Sequence, residues 1–174
     1  IQVHTTILDG QGSPDVAMKE DGAFTVVWTS ETGDGKSKRI YKQNFDAKNK
    51  KTEKETKVDK VTLSSSATMG NPHITTLGTG ETIVIWENTK SGSLIDVAAQ
   101  VFDSAGTAKT SADIVVNATS AGKNFNSNGI AFGADQFLIT WERDIKASEF
   151  KAADFQASLF KNHDISYENI KGRV

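Results

Sequence analysis

The stretch Ala23-Phe24-Thr25-Val26-Val27-Trp28 is a hydrophobic run that ends in tryptophan, and two later runs have the same form. They are Thr82-Ile83-Val84-Ile85-Trp86 and Gln136-Phe137-Leu138-Ile139-Thr140-Trp141. The tryptophans are 58 residues apart from 28 to 86 and 55 apart from 86 to 141. Short runs rich in β-branched and aromatic residues predict strands. The spacing therefore predicts three copies of one β-unit of about 57 residues.

The residues on either side of these runs repeat too. In Ser13-Pro14-Asp15 and Asn71-Pro72-His73 the proline stands 14 residues before the tryptophan, whereas the third copy, Asn128-Gly129-Ile130-Ala131-Phe132, has lost it. Downstream, a further strand-like segment in each copy ends in phenylalanine, with spacings of 57 and 58 residues. We expect six aromatic residues to be structural anchors of the repeats: Trp28, Trp86, Trp141, Phe45, Phe102 and Phe160.

Each copy contains four short segments with the period-two pattern of half-buried strands. The sequence thus predicts an all-β fold of three tandem four-stranded antiparallel repeats, either β-propeller blades or an open propeller-like array. We expect the repeats at 7–62, 63–119 and 120–174. Segment 1–6 resembles 114–119 and would be the last strand of a preceding repeat. Three blades leave outer faces uncovered, so we expect either further repeats or association of copies.

Composition restricts the possible partners. The chain has 20 Lys and Arg against 22 Asp and Glu, a net charge of −2, which argues against nucleic acid. Its apolar runs are too short to cross a bilayer. The sequence contains no cysteine, which excludes disulfides, thiolate metal sites and cysteine nucleophiles. The partners we expect are neighbouring repeats or other copies of the protein, with a glycan or protein ligand possible.

The residues that could carry chemistry do not form a repeated pattern. His4, His73 and His163 occupy non-equivalent places, which favours surface or turn positions for all three. Glu87 and Glu142 follow successive tryptophans, and this equivalence favours a structural role, since a catalytic pair is usually asymmetric. The known catalytic motifs are missing from the sequence. We therefore predict no catalytic residue and no enzyme activity.

No cofactor is expected. Calcium is the one metal that the acidic turns could bind, because it needs clustered oxygen ligands on a loop. The candidates are Asp9-Gly10 and Glu31-Thr32-Gly33-Asp34-Gly35, and neither has the dense alternating acids of a known calcium loop. An acid beside a turn glycine is also ordinary hairpin chemistry.

The first copy resembles the repeat of RTX-type bacterial surface adhesins in one extended pattern, Pro14-x-Val16-Ala17…Asp21-Gly22-x-Phe24-x-Val26-x-Trp28…Tyr41-x-Gln43-x-Phe45-Asp46. The segment Ala99-Gln100-Val101-Phe102-Asp103-Ser104-Ala105-Gly106 is similar to its second half, while the third copy departs, with Lys161 in place of the aspartate. The resemblance implies a propeller-like, repetitive module that is secreted or at the cell surface, and it identifies no ligand.

Three hypotheses for the function follow. The first is a non-catalytic structural or adhesive interaction module of a larger extracellular repeat protein. The alternative is a carbohydrate-binding, lectin-like propeller, to which asparagines of the loops could contribute: Asn88, Asn124, Asn126 and Asn128. The third is an enzyme domain whose active site includes residues outside this chain. The sequence favours the first.

Overall fold

The computed structural model describes residues 1–5, 10–33, 35, 37–60, 68–90, 94–117, 122–132, 135–144, 154–161 and 166–171. Within these ranges every regular element is a β-strand, which confirms the prediction of an all-β fold. The described residues contain no helix of the length and apolarity that crossing a membrane would require.

Twelve strands follow one another in these ranges, and each is paired with its chain neighbour or with a strand of the next set. In order they are β1 (Gln11–Met18), β2 (Phe24–Glu31), β3 (Lys38–Phe45), β4 (Thr56–Lys57), β5 (Thr68–Thr76), β6 (Thr82–Thr89), β7 (Ile95–Phe102), β8 (Ile114–Val115), β9 (Lys123–Phe132), β10 (Gln136–Asp144), β11 (Asp154–Lys161) and β12 (Ser166–Lys171). Antiparallel pairing runs through β1–β4, through β5–β8 and through β9–β12. We call these the first, second and third strand groups.

The sheets differ from the prediction of three separate four-stranded units. The first group is a four-stranded sheet, but the second and third are joined into one of eight strands. The junction is a parallel pair between Ile95 and Lys123. β8 pairs with β7 at Ala98 and Ala99 and the Val116 N–H donates to Val97 O, so Ile95 at the start of β7 lies beyond this pairing. There the Ile95 N–H donates to Gly122 O over 3.3 Å.

The predicted repeat boundaries cannot be compared with strand ends. They lie at 6/7, 62/63 and 119/120, and residues 6–9, 61–67 and 118–121 are outside the described part of the chain. The division into 7–62, 63–119 and 120–174 stays a prediction.

Two apolar layers hold the three groups together. The first joins the first and second groups and contains Val27, Ile40, Val84, Trp86 and Phe102, among others. The second joins the second and third groups, and its members are mostly from β6, β7 and β10: Leu77, Ile83, Ile85, Val97, Ala99, Val101, Val116, Phe137, Ile139 and Trp141. Alternate residues of β6 enter opposite layers because successive side chains of a strand point to opposite faces.

Five of the six expected anchors are buried. The exposed fractions are 4% for Trp28, 0% for Trp86, 3% for Trp141, 2% for Phe45 and 3% for Phe102. Phe160 lies in β11, whose side chains are outside the described part. Removing one such aromatic side chain from water contributes roughly 1.5–3 kcal/mol. Three of the five, Trp86, Phe102 and Trp141, belong to the layers between groups.

Lys42 of β3 is a charged group inside the first layer. Its Nζ lies 3.2 Å from Glu53 Oε1 and 4.8 Å from the centre of the Phe102 ring. Burial lowers the pKa of Lys42 below its ordinary 10.5, and the neighbouring Glu53 carboxylate opposes that shift. The pKa of Lys42 is lower in the folded chain than in the unfolded chain. Protonation of Lys42 therefore favours unfolding at pH values below its folded pKa. Its contribution to stability therefore rises with pH between the lowered pKa and 10.5.

Gly129 of β9 stands where β1 has Val16 and β5 has Ile74, and the second layer requires the small residue. A Cβ at this position would lie 2.2 Å from Ile85 Cδ1, in a side chain that is fully buried. We expect Gly129→Ala to lower the free energy of unfolding by about 1–3 kcal/mol through overpacking, measured by urea denaturation. Gly70→Ala is the control, because a Cβ at Gly70 would meet nothing within 4 Å. Equal losses in the two variants would contradict the packing explanation.

Candidate functional site

The first strand of each group bends at a polar residue in the left-handed region of backbone conformation. The φ angles are 47° at Ser13, 46° at Asn71 and 52° at Asn126. The pairing shifts at these points, between Gly12 and Asp15 in β1 and at the corresponding places in β5 and β9. Asparagine tolerates this conformation and serine adopts it less often, so the repeated bend is a specific feature of all three strands. Such bulges redirect the side chains that follow them.

The three bends converge on one polar cavity of about 350 Å³. Strands β1, β5 and β9 lie side by side here, and the wall comes from all three groups: Ser13, Pro14, Asp15, Asn71, Pro72, His73, Glu87 and Asn126. The pairing registers make Asp15, His73 and Asn128 equivalent positions of the three groups. The backbone is therefore repeated around the cavity while the chemistry at its wall is not.

Asp15 and His73 form the accessible part of this site. Asp15 Oδ2 accepts the N–H of Ile74 over 3.0 Å and lies 3.4 Å from His73 Nδ1. Asp15 Oδ1 accepts the N–H of Val16 over 2.9 Å. The carboxylate is fixed by two backbone donors, yet the side chains of Asp15 and His73 are 34% and 38% exposed. A fixed carboxylate beside an imidazole, both open to a cavity, can bind and transfer a proton.

Glu87 holds the second and third groups together at the same cavity. Its Oε2 accepts from Asn71 Nδ2 over 3.0 Å, and its Oε1 accepts the N–H of Asn126 over 2.8 Å. The residue is 7% exposed, so both oxygens are committed inside the wall. Asn126 Nδ2 in turn donates to Glu142 Oε1 over 2.9 Å. Glu87 thus positions the two asparagines, and Asp15 is the carboxylate that faces the cavity.

Sequence reasoning found the parts of this site separately and rejected them. His73, interpreted as an isolated surface histidine, lies beside Asp15 in the cavity wall. Glu87 and Glu142 are equivalent in sequence but not in environment, since one bridges two groups and the other is half-buried. The usable signal was the proline-marked position itself, because Asp15 and His73 directly follow Pro14 and Pro72.

The other candidates lie elsewhere. His4 is half-buried in the N-terminal segment, and His163 is outside the described residues. Among the residues described, no three His, Cys, Asp or Glu side chains form a group that could hold a metal ion. Both acidic turns considered for calcium include a residue outside that part of the chain, Asp9 in one and Asp34 in the other.

Comparison with known proteins identifies the fold. No protein-family model matches the sequence, and no curated protein matches it. A Hadza microbial sialidase matches with a TM-score of 0.64 and 13% identity, over 91% of this chain and 37% of the sialidase. The catalytic domain of a Coprinopsis cinerea alpha-L-arabinofuranosidase matches with a TM-score of 0.52 and 11% identity, over 93% of this chain and 50% of that one. An endo-arabinase from Bacteroides thetaiotaomicron matches with a TM-score of 0.52 and 12% identity, over 94% of this chain and 57% of that one.

These similarities correct the prediction of function. The structures that share the fold are named as glycoside-cleaving enzymes, so the prediction of a non-catalytic structural or adhesive module is wrong, as is that of no enzyme activity. Strands that repeat in backbone can carry different side chains at equivalent positions, as Asp15 and His73 do. The lectin-like alternative fails with the prediction of a non-catalytic module, and two of its asparagines, Asn88 and Asn124, are buried. The adhesin resemblance and the location outside the cell stay predictions.

The fold itself is the conclusion that these comparisons support. The chain spans only 37% of the sialidase, and 50% and 57% of the other two structures. At identities of 11–13% the likeness concerns shape and not activity. The chain has a β-rich, propeller-like fold.

Proposed function

We propose that this chain is part of a carbohydrate-active enzyme, and that the cavity between β1, β5 and β9 is where a glycosidic bond is cleaved. The observation that carries the proposal is the convergence of Asp15, His73 and Glu87, from different strand groups, on one cavity of about 350 Å³. Cavities with a few converging polar groups are the usual sites of small-ligand chemistry. The fold shared with the sialidase and the two arabinan-related enzymes supports the same class of reaction.

In this proposal the three strand groups are three blades of a propeller. Each is an antiparallel series of four strands, and each packs an apolar face on the next. The first strands, β1, β5 and β9, would be innermost, since they contact one another across the groups. The parallel pair between β7 and β9 would then be a contact between neighbouring blades. Innermost strands surround the axis of a propeller, where the cavity would lie.

The wall of the cavity offers the groups that glycoside cleavage requires. The reaction needs one group to protonate the leaving oxygen and a carboxylate to stabilise the positive charge that develops on the sugar. A water molecule then bonds to the anomeric carbon, and the group that gave the first proton takes one back from this water. Asp15 provides the carboxylate. His73 lines the same cavity and its Nδ1 lies 3.4 Å from Asp15 Oδ2, so its imidazole is the group nearest to this carboxylate that could supply the proton. The amides of Asn71 and Asn126 can hydrogen-bond sugar hydroxyls, and Glu87 keeps both amides in place.

The proposal is tested by incubating the chain with a set of nitrophenyl glycosides that includes neutral furanosides, neutral pyranosides and a sialoside. We expect release of nitrophenol from at least one of them, and thermal stabilisation by the sugar that corresponds to it. No release from any substrate, together with no shift in melting temperature with any of the free sugars, would contradict the proposed function.

A further inference from the structure

We propose that two copies of this chain associate head to tail, with the outer face of the third strand group on the outer face of the first group of the other copy. The first surface consists of Asn128, Ile130, Leu138 and Thr140, and we call it the Ile130 face. The second consists of Val16, Met18, Val26 and Trp28, and we call it the Trp28 face. This inference is independent of the proposed catalytic function.

Both faces expose large apolar side chains, although Trp28 itself is 4% exposed and already buried within one copy. Met18 is 67% exposed, and Val16 and Ile130 are each 56% exposed. The Ile130 face borders a pocket of about 230 Å³. The Trp28 face borders a trough of about 340 Å³, whose other wall is the N-terminal segment 1–4. Exposed apolar surface of this kind marks an interaction site more often than a free surface.

The interior of the chain contains two examples of what covers such faces. In the first, Val27 and Ala17 of one group pack in a layer with Val84 and Trp86 of the next. In the second, Ile83 and Ile85 pack in a layer with Ile139 and Trp141. In both cases a face bearing the tryptophan contacts a face without one. In both layers the earlier group therefore contributes the face without tryptophan and the later group contributes the face with it.

Each outer face corresponds to one side of the contact that joins neighbouring groups inside the chain. The registers make Ile130 equivalent to Ala17, and Thr140 equivalent to Val27 and Ile85. They make Trp28 equivalent to Trp86 and Trp141. The Ile130 face thus corresponds to the side of an internal layer that has no tryptophan. The Trp28 face corresponds to the side that bears the tryptophan. A second copy of the chain has both faces, so each face of one copy can contact the complementary face of the other.

Hydrogen bonding at the inner edge gives the same register. Glu87 accepts from Asn71 Nδ2 in its own group and from the N–H of Asn126 in the following one. Glu142 is its equivalent and accepts from Asn126 Nδ2 in its own group. The residue equivalent to Asn126 in a first group is Ser13, which has the same left-handed backbone, with φ 47° against 52°. In the complex the Ser13 N–H of one copy would donate to Glu142 of the other.

An interface of this kind joins two different surfaces, so it has a distinctive mutational signature. Met18→Lys places a charge on the Trp28 face only, and Ile130→Lys places one on the Ile130 face only. We expect each variant alone to self-associate at least about tenfold more weakly than the wild type, by sedimentation velocity over a concentration series. An equal mixture of the two should form a complex of one copy of each, through the pair of faces that is still intact. Val115→Lys, at another exposed apolar residue, is the control and should associate like the wild type.

Circular dichroism of each variant checks that the fold is kept, which we expect because both substituted side chains are mostly exposed. A wild-type chain that stays monomeric over the whole series would overturn the inference. So would a mixture that does not associate, or a loss of association with Met18→Lys that Ile130→Lys does not reproduce, since this last result would indicate a symmetric contact between two Trp28 faces. Glu142→Gln, which keeps an acceptor but removes its charge, should weaken association less than either lysine variant.

Discussion

Asp15→Asn is expected to lower kcat/KM for the glycoside that the protein cleaves by about 100-fold or more. General acid–base and carboxylate groups contribute 10²–10⁴-fold when they contact the reacting atoms. The substitution removes the negative charge and leaves one oxygen, so the amide can accept the N–H of Val16 or that of Ile74 but not both. The third strand group has Asn128 at the equivalent position, where its Oδ1 accepts the N–H of Gly129, so the backbone tolerates asparagine here. The lost hydrogen bond should cost about 1 kcal/mol of stability, and the fall in rate should come from the missing charge.

The measurement is a comparison of initial rates, with urea denaturation of the same samples as a check on stability. Glu20→Gln is the matched control, since it removes one negative charge from an exposed residue of the same group outside the cavity. It should leave kcat/KM within about twofold of the wild type. Full activity in Asp15→Asn would show that the Asp15 carboxylate takes no part in the reaction. Glu87, the other carboxylate of the cavity wall, would then be the candidate.

Much of the fold could be predicted because burial leaves a regular trace in sequence. A run such as Ile83-Val84-Ile85-Trp86 is apolar at every position since both its faces are covered, and the tryptophan marks the same place in each copy. The spacing of Pro14 and Pro72 likewise aligned the first strands of two copies, although it did not predict the bend just before each proline. What could not be predicted is which edges meet. The short β8 does not explain the junction of β7 with β9, since β4 also has two residues and the first group stays a separate sheet. No sequence pattern at Ile95 or Lys123 indicates the junction.

The site was harder to predict, for a different reason. Its members are far apart in the chain and come together only because β1, β5 and β9 lie side by side. The cavity wall contains Asp15, His73 and Glu87, and the equivalent positions of the other groups hold different residues, so agreement between the repeats could not indicate the site. The third bend is also hidden in sequence, because Ser127 stands where the first two copies have proline. Chemical difference at a structurally repeated position is the signal that should have been sought.

The buried ion pair of the first strand group gives the largest expected effect on stability. Asp59 is 0% exposed and lies 3.3 Å from Arg39 Nη1, while its Oδ2 accepts the N–H of Ile40 over 3.4 Å. Arg39→Asp would remove the cation and place a second carboxylate beside the first. Lys57 Nζ remains 3.6 Å from Asp59 Oδ1 and compensates part of this charge, so we expect the free energy of unfolding to fall by about 3 kcal/mol, the lower end of the cost of an unpaired buried charge. Lys38→Asp, a charge reversal at the adjacent exposed residue, should cost less than about 1 kcal/mol.

The second strand group indicates which second substitution should restore the stability lost in Arg39→Asp. At the equivalent positions it has Asp96 and Asn117, and Asn117 Nδ2 donates to Asp96 Oδ1 over 2.8 Å while its Oδ1 accepts the N–H of Val97 over 2.7 Å. The double variant Arg39→Asp/Asp59→Asn reproduces this pair in the first group, because the amide can donate to the new carboxylate and accept from Ile40. We expect it to regain at least half of the lost stability in urea denaturation. The recovery should be incomplete, since Lys90 forms an ion pair with Asp96 and its counterpart in the first group, Thr32, carries no charge. A double variant no more stable than Arg39→Asp alone would mean that the two groups are not interchangeable at this position, and that their equivalence ends with the backbone.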